Sequence, residues 1–120
     1  MCRLVQWKNG QYVAEIKYNH ILNITKQAEK CKNINRIMLF GSSLEERCSD
    51  KSDIDIAVFG NQTKSKYYKS KEFQTFQDNI FLYDLDQDYD ILYFCEKGDN
   101  KAGILSDINN GIEIYRGVGA

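Results

Sequence analysis

Three features of the sequence could do chemistry together. Gly41-Ser42 closes a short apolar run, Asp53 and Asp55 stand two positions apart in Ser52-Asp53-Ile54-Asp55, and Asp90 lies inside Tyr89-Asp90-Ile91-Leu92-Tyr93-Phe94. In an extended chain, residues i and i+2 share a face about 6–7 Å apart. Asp53 and Asp55 then point one way, while Ile54 and Ile56 point the other. Two carboxylates this close repel, and each raises the other's pKa unless a cation sits between them. Mg2+ favours oxygen ligands and keeps its remaining positions for water and substrate phosphates. Asp90, on a neighbouring strand, would complete a cradle for two such ions. One would activate an attacking oxygen and the other would stabilise a leaving one. Glycine at position 41 lets the backbone approach a phosphate closely. The Ser42 hydroxyl and the N–H groups of a following helical turn can bind phosphate oxygens. A nucleoside triphosphate would then lie between that turn and the carboxylates.

Those residues need elements to hold them. Asn9-Gly10 between β-prone runs predicts a hairpin within residues 1–16, with a helix that already starts near Gln11 as the rival reading. Ile21, Ile24, Ala28 and Cys31 recur at steps of three and four, which predicts a helix over 18–32. A short apolar strand follows at 36–40, then a loop or short helix to Ser52. Ile54, Ile56 and Val58 mark a second strand, stopped at Gly60-Asn61. The polar, lysine-rich stretch 61–71 reads as a mobile loop, and 71–85 as a helix with Phe73, Phe76, Ile80 and Leu82 inward. A third strand spans 89–95. Ile104, Leu105 and Ile108 mark another helix, ended by Asn109-Asn110-Gly111, where glycine suits a left-handed cap. A last strand spans 112–115. Interleaved helices and strands predict an α/β (α+β) fold: one domain over 1–120, with a mixed sheet of about four to five strands and helices packed on it.

Composition narrows the function classes. At 120 residues the chain fits one domain. With 42% hydrophobic and 28% charged residues it can build a core, which argues against disorder. Its apolar runs at 37–40 and 91–95 are far shorter than the roughly 20 residues that span a bilayer, so no membrane segment is expected. Sixteen basic residues stand against seventeen acidic ones, with a pI near 5.8. A protein that tracks a nucleic-acid backbone shows a basic footprint, so long DNA or RNA is a poor partner. Cys2, Cys31, Cys48 and Cys95 form no Cys-x-x-Cys pair, and the first ten residues lack a signal-peptide apolar core. The expectation is reduced thiols in a cytoplasmic protein.

Leu39-Phe40-Gly41-Ser42 followed by Ser52-Asp53-Ile54-Asp55-Ile56-Ala57-Val58 resembles the signature of the nucleotidyltransferase superfamily that includes DNA polymerase beta. The resemblance runs over about 21–115 and is nearest to the minimal, single-domain branch of small bacterial and archaeal members. It implies transfer of a nucleoside monophosphate from ATP or another NTP to a hydroxyl, with Mg2+, two ions as a rule, and pyrophosphate release. By carry-over Gly41 and Ser42 hold the phosphates, and Asp53 and Asp55 hold the metals. Asp90 completes metal binding and helps deprotonate the acceptor. Ser52 and Arg47 complete the candidate nucleotide-binding set. Minimal members often carry arginines and a glycine just after Gly-Ser. Here Ser43, Glu45 and Glu46 stand there, with Arg47 the nearby arginine. In such relatives a separate helical partner, often a HEPN-type toxin, supplies the missing second domain. Some of these relatives are antitoxins that adenylylate that partner on a tyrosine.

Blander readings compete at several positions. Asp84, Asp86, Asp88 and Asp90 alternate, but the EF-hand pattern needs glycine and glutamate where Tyr89 and Cys95 stand. The first three read as a solvated helix end. Lys64, Lys66, Lys69 and Lys71 read as surface charge rather than a polyanion clamp. His20 has no partner visible by spacing, and Trp7 fits either a core or a partner-facing anchor. A second functional reading keeps the fold but not the catalysis, with the chain acting as a binding module by contact with a partner protein.

Overall fold

The two most apolar runs become the central strands. β3 (Ile34–Phe40) and β4 (Ile54–Gly60) are buried over most of their length, as strands covered on both faces must be. The computed structural model describes residues 2–8, 10–96 and 108–117. Before β3 come β1 (Leu4–Gln6), β2 (Tyr12–Ala14), a 3-10 turn at Glu15–Lys17 and α1 (Tyr18–Ala28). A second 3-10 turn, Gly41–Leu44, follows β3, and β4 is followed by α2 (Lys64–Tyr68), α3 (Lys71–Tyr83), β5 (Tyr89–Cys95) and β6 (Ile112–Arg116). The main sheet has the order β5-β4-β3-β6. β3 runs antiparallel to both β4 and β6, and β4 runs parallel to β5. A parallel pair needs a long crossover, which α2 and α3 supply. β1 and β2 pair as a separate hairpin, Leu4 opposite Ala14, with Gly10 at φ 77 in its turn.

Strand alternation gives the sheet two different faces. Ile37, Leu39, Ile54, Ile56, Val58 and Tyr93 form one core with Ile21, Ile24 and Ala28 of α1 and Phe73, Phe76 and Ile80 of α3. Trp7 joins that core and meets Tyr18 edge-on at 5.4 Å, so it is a packing residue. On the other face Met38, Ala57, Phe59 and Phe94 cluster with Ile108. The Arg36 guanidinium lies 4.0 Å from the Phe59 ring centroid on that side. Asp55 belongs to this second face, because Ile54 and Ile56 are committed to the first.

Several elements differ from the sequence expectation. The stretch 61–71 is not a loop throughout: α2 forms there with Tyr67 wholly buried, its hydroxyl donating to Glu72 at 2.7 Å. One buried aromatic inside a lysine-rich run is enough to dock it, while Lys64, Lys66 and Lys69 stay exposed. The first helix ends at Ala28, and the Glu72 carboxylate takes the backbone N–H groups of Lys32 and Asn33 beyond it. α3 starts at a Ser70 cap that accepts from the Phe73 N–H and stops at Tyr83. Leu82 was expected inward, yet it is 68% exposed and Leu85 77%. Two residues past the buried Ile80 is a rotation of about 200°, to the opposite side of the helix. The helix expected around Ile104 and Leu105 lies outside the described residues. No described helix is long and apolar enough to cross a membrane.

Candidate functional site

The chain leaves β3 fully extended at Phe40 and reverses at Gly41, whose φ is +79°. Only glycine adopts that conformation without penalty. A second demand falls on the same atom position, because a Cβ on Gly41 would run into Oδ2 of Asp55. Register explains why. Phe40 pairs with Asp55 across β3 and β4, and Asp55 pairs with Asp90 across β4 and β5. Neighbouring strands lie about 4.8 Å apart, so Asp55 and Asp90 stand side by side at one end of the sheet. Asp53 precedes β4 by one residue, on the same side as Asp55 by strand alternation.

The electrostatics follow from that crowding. Asp55 is half-buried, while Asp53 and Asp90 are exposed. Burial pushes the Asp55 carboxyl above the usual carboxylate range, and the charges of Asp90 and Asp53 push it further. Asp90 faces solvent although its strand neighbours are apolar, and its register with Asp55 brings it to the group. Among the described residues no group of three or more acidic, histidine or cysteine side chains is arranged to hold a metal ion. A hard cation here would take one or two carboxylates, with water and phosphate oxygens for the rest. The crowded, all-oxygen donor set suits such a cation.

The remaining candidates separate by placement. Ser43 is fully buried, its hydroxyl without a partner among the described residues, so Ser42 is the partly accessible hydroxyl of the turn. Ser52 Oγ accepts the Ser49 N–H at 3.0 Å and lies 3.3 Å from Ser49 Oγ, which ties it into its own turn. Arg47 is exposed and donates to Glu45 at 2.6 Å. An open groove of about 450 Å3 adjoins Asp53, lined by Phe81, Leu85, Gln87, Asp88 and Tyr89. Another, of about 470 Å3, lies at the β6 edge with Lys8, Glu29, Glu113 and Arg116 and holds none of the aspartates.

Sequence reasoning missed Lys17, Gln87 and the His20–Asp84 pair. Lys17 and Gln87 are buried polar residues beneath the turns that precede β4 and β5. Burial pushes the Lys17 ammonium below its ordinary value, opposed by the ionisable groups of Cys48, Asp50 and Asp53. His20 Nε2 lies 3.0 Å from Asp84 Oδ2, and this contact holds the Asp84 carboxyl below its usual range. The pair spans 64 positions, a separation that no local spacing rule reaches.

The family model for polymerase beta-type nucleotidyltransferases matches residues 22–116, which include Gly41, Ser42 and all three aspartates. The chain belongs to that nucleotidyltransferase family. Its fold is similar to a chain of the solved complex of tri-AMPylated Shewanella oneidensis HEPN toxin with MNT antitoxin. That match has 20% identity and a TM-score of 0.55, covering 83% of this chain and 72% of that one. A candidate nucleotidyltransferase from Sulfolobus solfataricus aligns at 15% identity over 86% of this chain and 89% of its own, with a TM-score of 0.42. No curated protein matches the sequence. This nucleotidyltransferase domain has a four-stranded mixed sheet with helices on it, as its sequence pattern implied.

Proposed function

We propose that this domain transfers a nucleoside monophosphate from an NTP, ATP first, to a hydroxyl, using a divalent cation such as Mg2+ bound among Asp53, Asp55 and Asp90, with water and phosphate oxygens completing its coordination. The observation that carries the reading is the row Gly41, Asp55 and Asp90: a glycine packed against one carboxylate that is itself in register with the next. Bound Mg2+ would neutralise charge on the phosphates and polarise the α-phosphoryl group. Gly41 and the Ser42 hydroxyl take phosphate oxygens. Asp90, the exposed member on β5, accepts the acceptor's proton in this reading. Ser52 contributes by holding the turn before Asp53, since its hydroxyl accepts from Ser49 and its N–H donates to the Ser49 carbonyl. Arg47 reaches phosphate by exchanging Glu45 for it. Such a site works by positioning and charge neutralisation, with little covalent chemistry from the protein.

The acceptor in this reading is a side-chain hydroxyl on a helical HEPN-type partner. The likeness to a chain of a tri-AMPylated toxin–antitoxin complex supports it, as does a net charge of -1, which does not favour long nucleic acid. The test is intact-mass analysis of a co-purified HEPN-type protein after incubation with this chain, ATP and Mg2+. The expected gain is one or more AMP groups, abolished by Asp53→Asn. A second reading, masking by contact alone, draws on the pairing of Arg47 with Glu45. It predicts that the partner is neutralised equally with and without ATP, with no gain in mass.

A further inference from the structure

Lys17 is 1% exposed, an unusual place for an ammonium. Its Nζ donates to the carbonyl of Ser52 at 2.8 Å, to Gln87 Oε1 at 2.6 Å and to the carbonyl of Asp50 at 3.3 Å. An ammonium has three protons, and here three acceptors receive them. Gln87 carries the network onward. Its Nε2 donates to the same Ser52 carbonyl at 3.0 Å and to the Asp88 carbonyl at 2.7 Å. The Asp88 carbonyl also accepts the Ile54 N–H at 3.1 Å, the bond at which β4 begins to run beside β5. Lys17 thus ties the turn one residue before Asp53 to the turn two residues before Asp90. These turns fix where the three aspartates emerge.

We propose that Lys17, with Gln87, is a positioning residue that sets the spacing of Asp53 and Asp55 against Asp90. It touches neither substrate nor metal and acts only through the backbone of 50–52 and 87–88. Loops are the mobile parts of a fold, and groups that must converge on one cation need their backbones held by a buried, satisfied network. The 3-10 turn at Glu15–Lys17 delivers the ammonium from the N-terminal hairpin. The hairpin is thereby a working part of the site rather than an appendage. The inference rests on the metal-binding reading above, and its test is chosen so that the two can fail separately.

The experiment compares wild type, Lys17→Met, Gln87→Met and Asp53→Asn, with the core variant Ile34→Val, at the other end of the sheet from Asp55, as control. Hydrogen exchange at the Ile54 and Asp55 amides reads the anchor without any metal. Mn2+ binding, followed by electron paramagnetic resonance, reads the carboxylates. Lys17→Met keeps the aliphatic stem and removes all three donors. It should speed exchange at Ile54 at least tenfold, beyond any change in α1, and weaken Mn2+ at least tenfold. Ile34→Val should change neither selectively. Should Lys17→Met not fold, Gln87→Met removes the other half of the network and is held to the same expectations. Unchanged Ile54 exchange and unchanged Mn2+ affinity in the folded variant would overturn the proposal. So would a loss of protection spread evenly over all amides. A wild type that binds Mn2+ no better than Asp53→Asn would overturn the metal reading instead, and the exchange data would still decide the anchor.

Discussion

Replacing Gly41 with alanine perturbs the site at its tightest point. The backbone there sits at φ +79°, and the added Cβ would overlap Oδ2 of Asp55 while lying 3.6 Å from its Cβ. The left-handed conformation costs a non-glycine residue about 1–2 kcal/mol. The overlap adds a further cost, because the Asp55 carboxylate must swing away, and Asp53 and Asp90 already repel it. In an Asp55→Ala background the backbone cost stays and the overlap disappears, since a Cβ at 3.6 Å is an ordinary contact. Gly41→Ala should then cost about 2–3 kcal/mol in wild type and about 1–2 kcal/mol beside Asp55→Ala, a coupling of about 1 kcal/mol. Thermal unfolding reads this as a drop of about 4 °C per kcal/mol for a domain of this size. The same variant should lose Mg2+-dependent ATP binding. An equal cost in both backgrounds would refute the reasoning, because Gly41 and Asp55 would then not share the space assigned to them.

Three further outcomes follow from the same structure. Asp55 has a folded pKa above its ordinary value, so its contribution is fully present below the unfolded pKa and is lost as pH rises through the raised one. At neutral pH without metal, Asp55→Asn should therefore raise Tm while abolishing the response to Mg2+ and ATP, a trade of stability against function. Glu72 behaves in the opposite sense. Burial would raise its carboxyl, but hydrogen bonds from Tyr67, Lys32 and Asn33 hold it below the ordinary value. Its stabilisation is present above the unfolded pKa and lost as pH falls through the folded one. Glu72→Ala should cost about 1–3 kcal/mol by urea titration, with Mg2+-dependent ATP binding intact. Leu82→Ser should change stability by less than about 0.5 kcal/mol, because Leu82 faces solvent.

The placement of the candidate site residues was more legible in the sequence than that of the residues beneath them. Gly41, Asp53 and Asp55 were legible because their constraints are local: a turn after one strand and a two-residue alternation in the next. Asp90 was legible as a strand residue, but its solvent exposure was not, since the face of a strand depends on which side its neighbours bury. Leu82 went astray because a helix end offers few residues to define a face. Tyr67 hid inside a lysine run, and only its contacts with Glu72 and Tyr93 show that it docks α2. Lys17, Gln87 and the His20–Asp84 pair were invisible for one reason. Each is defined by partners far away in sequence, and a lone lysine or glutamine looks the same buried or solvated.

The central claim is that the three aspartates, with Gly41 and Ser42, form a metal–nucleotide site. Thermal unfolding of wild type and Asp53→Asn, each alone, with ATP, with Mg2+ and with both, tests it most directly. Asp53 is the better probe than Asp55 because it is exposed, and its replacement should leave the unliganded fold unchanged. Ligand at 100 times its Kd stabilises a fold by about 2.7 kcal/mol. The account predicts that increase in wild type only when ATP and Mg2+ are both present, and none in Asp53→Asn. Equal stabilisation of the two proteins, or none in either at millimolar ligand, would contradict it.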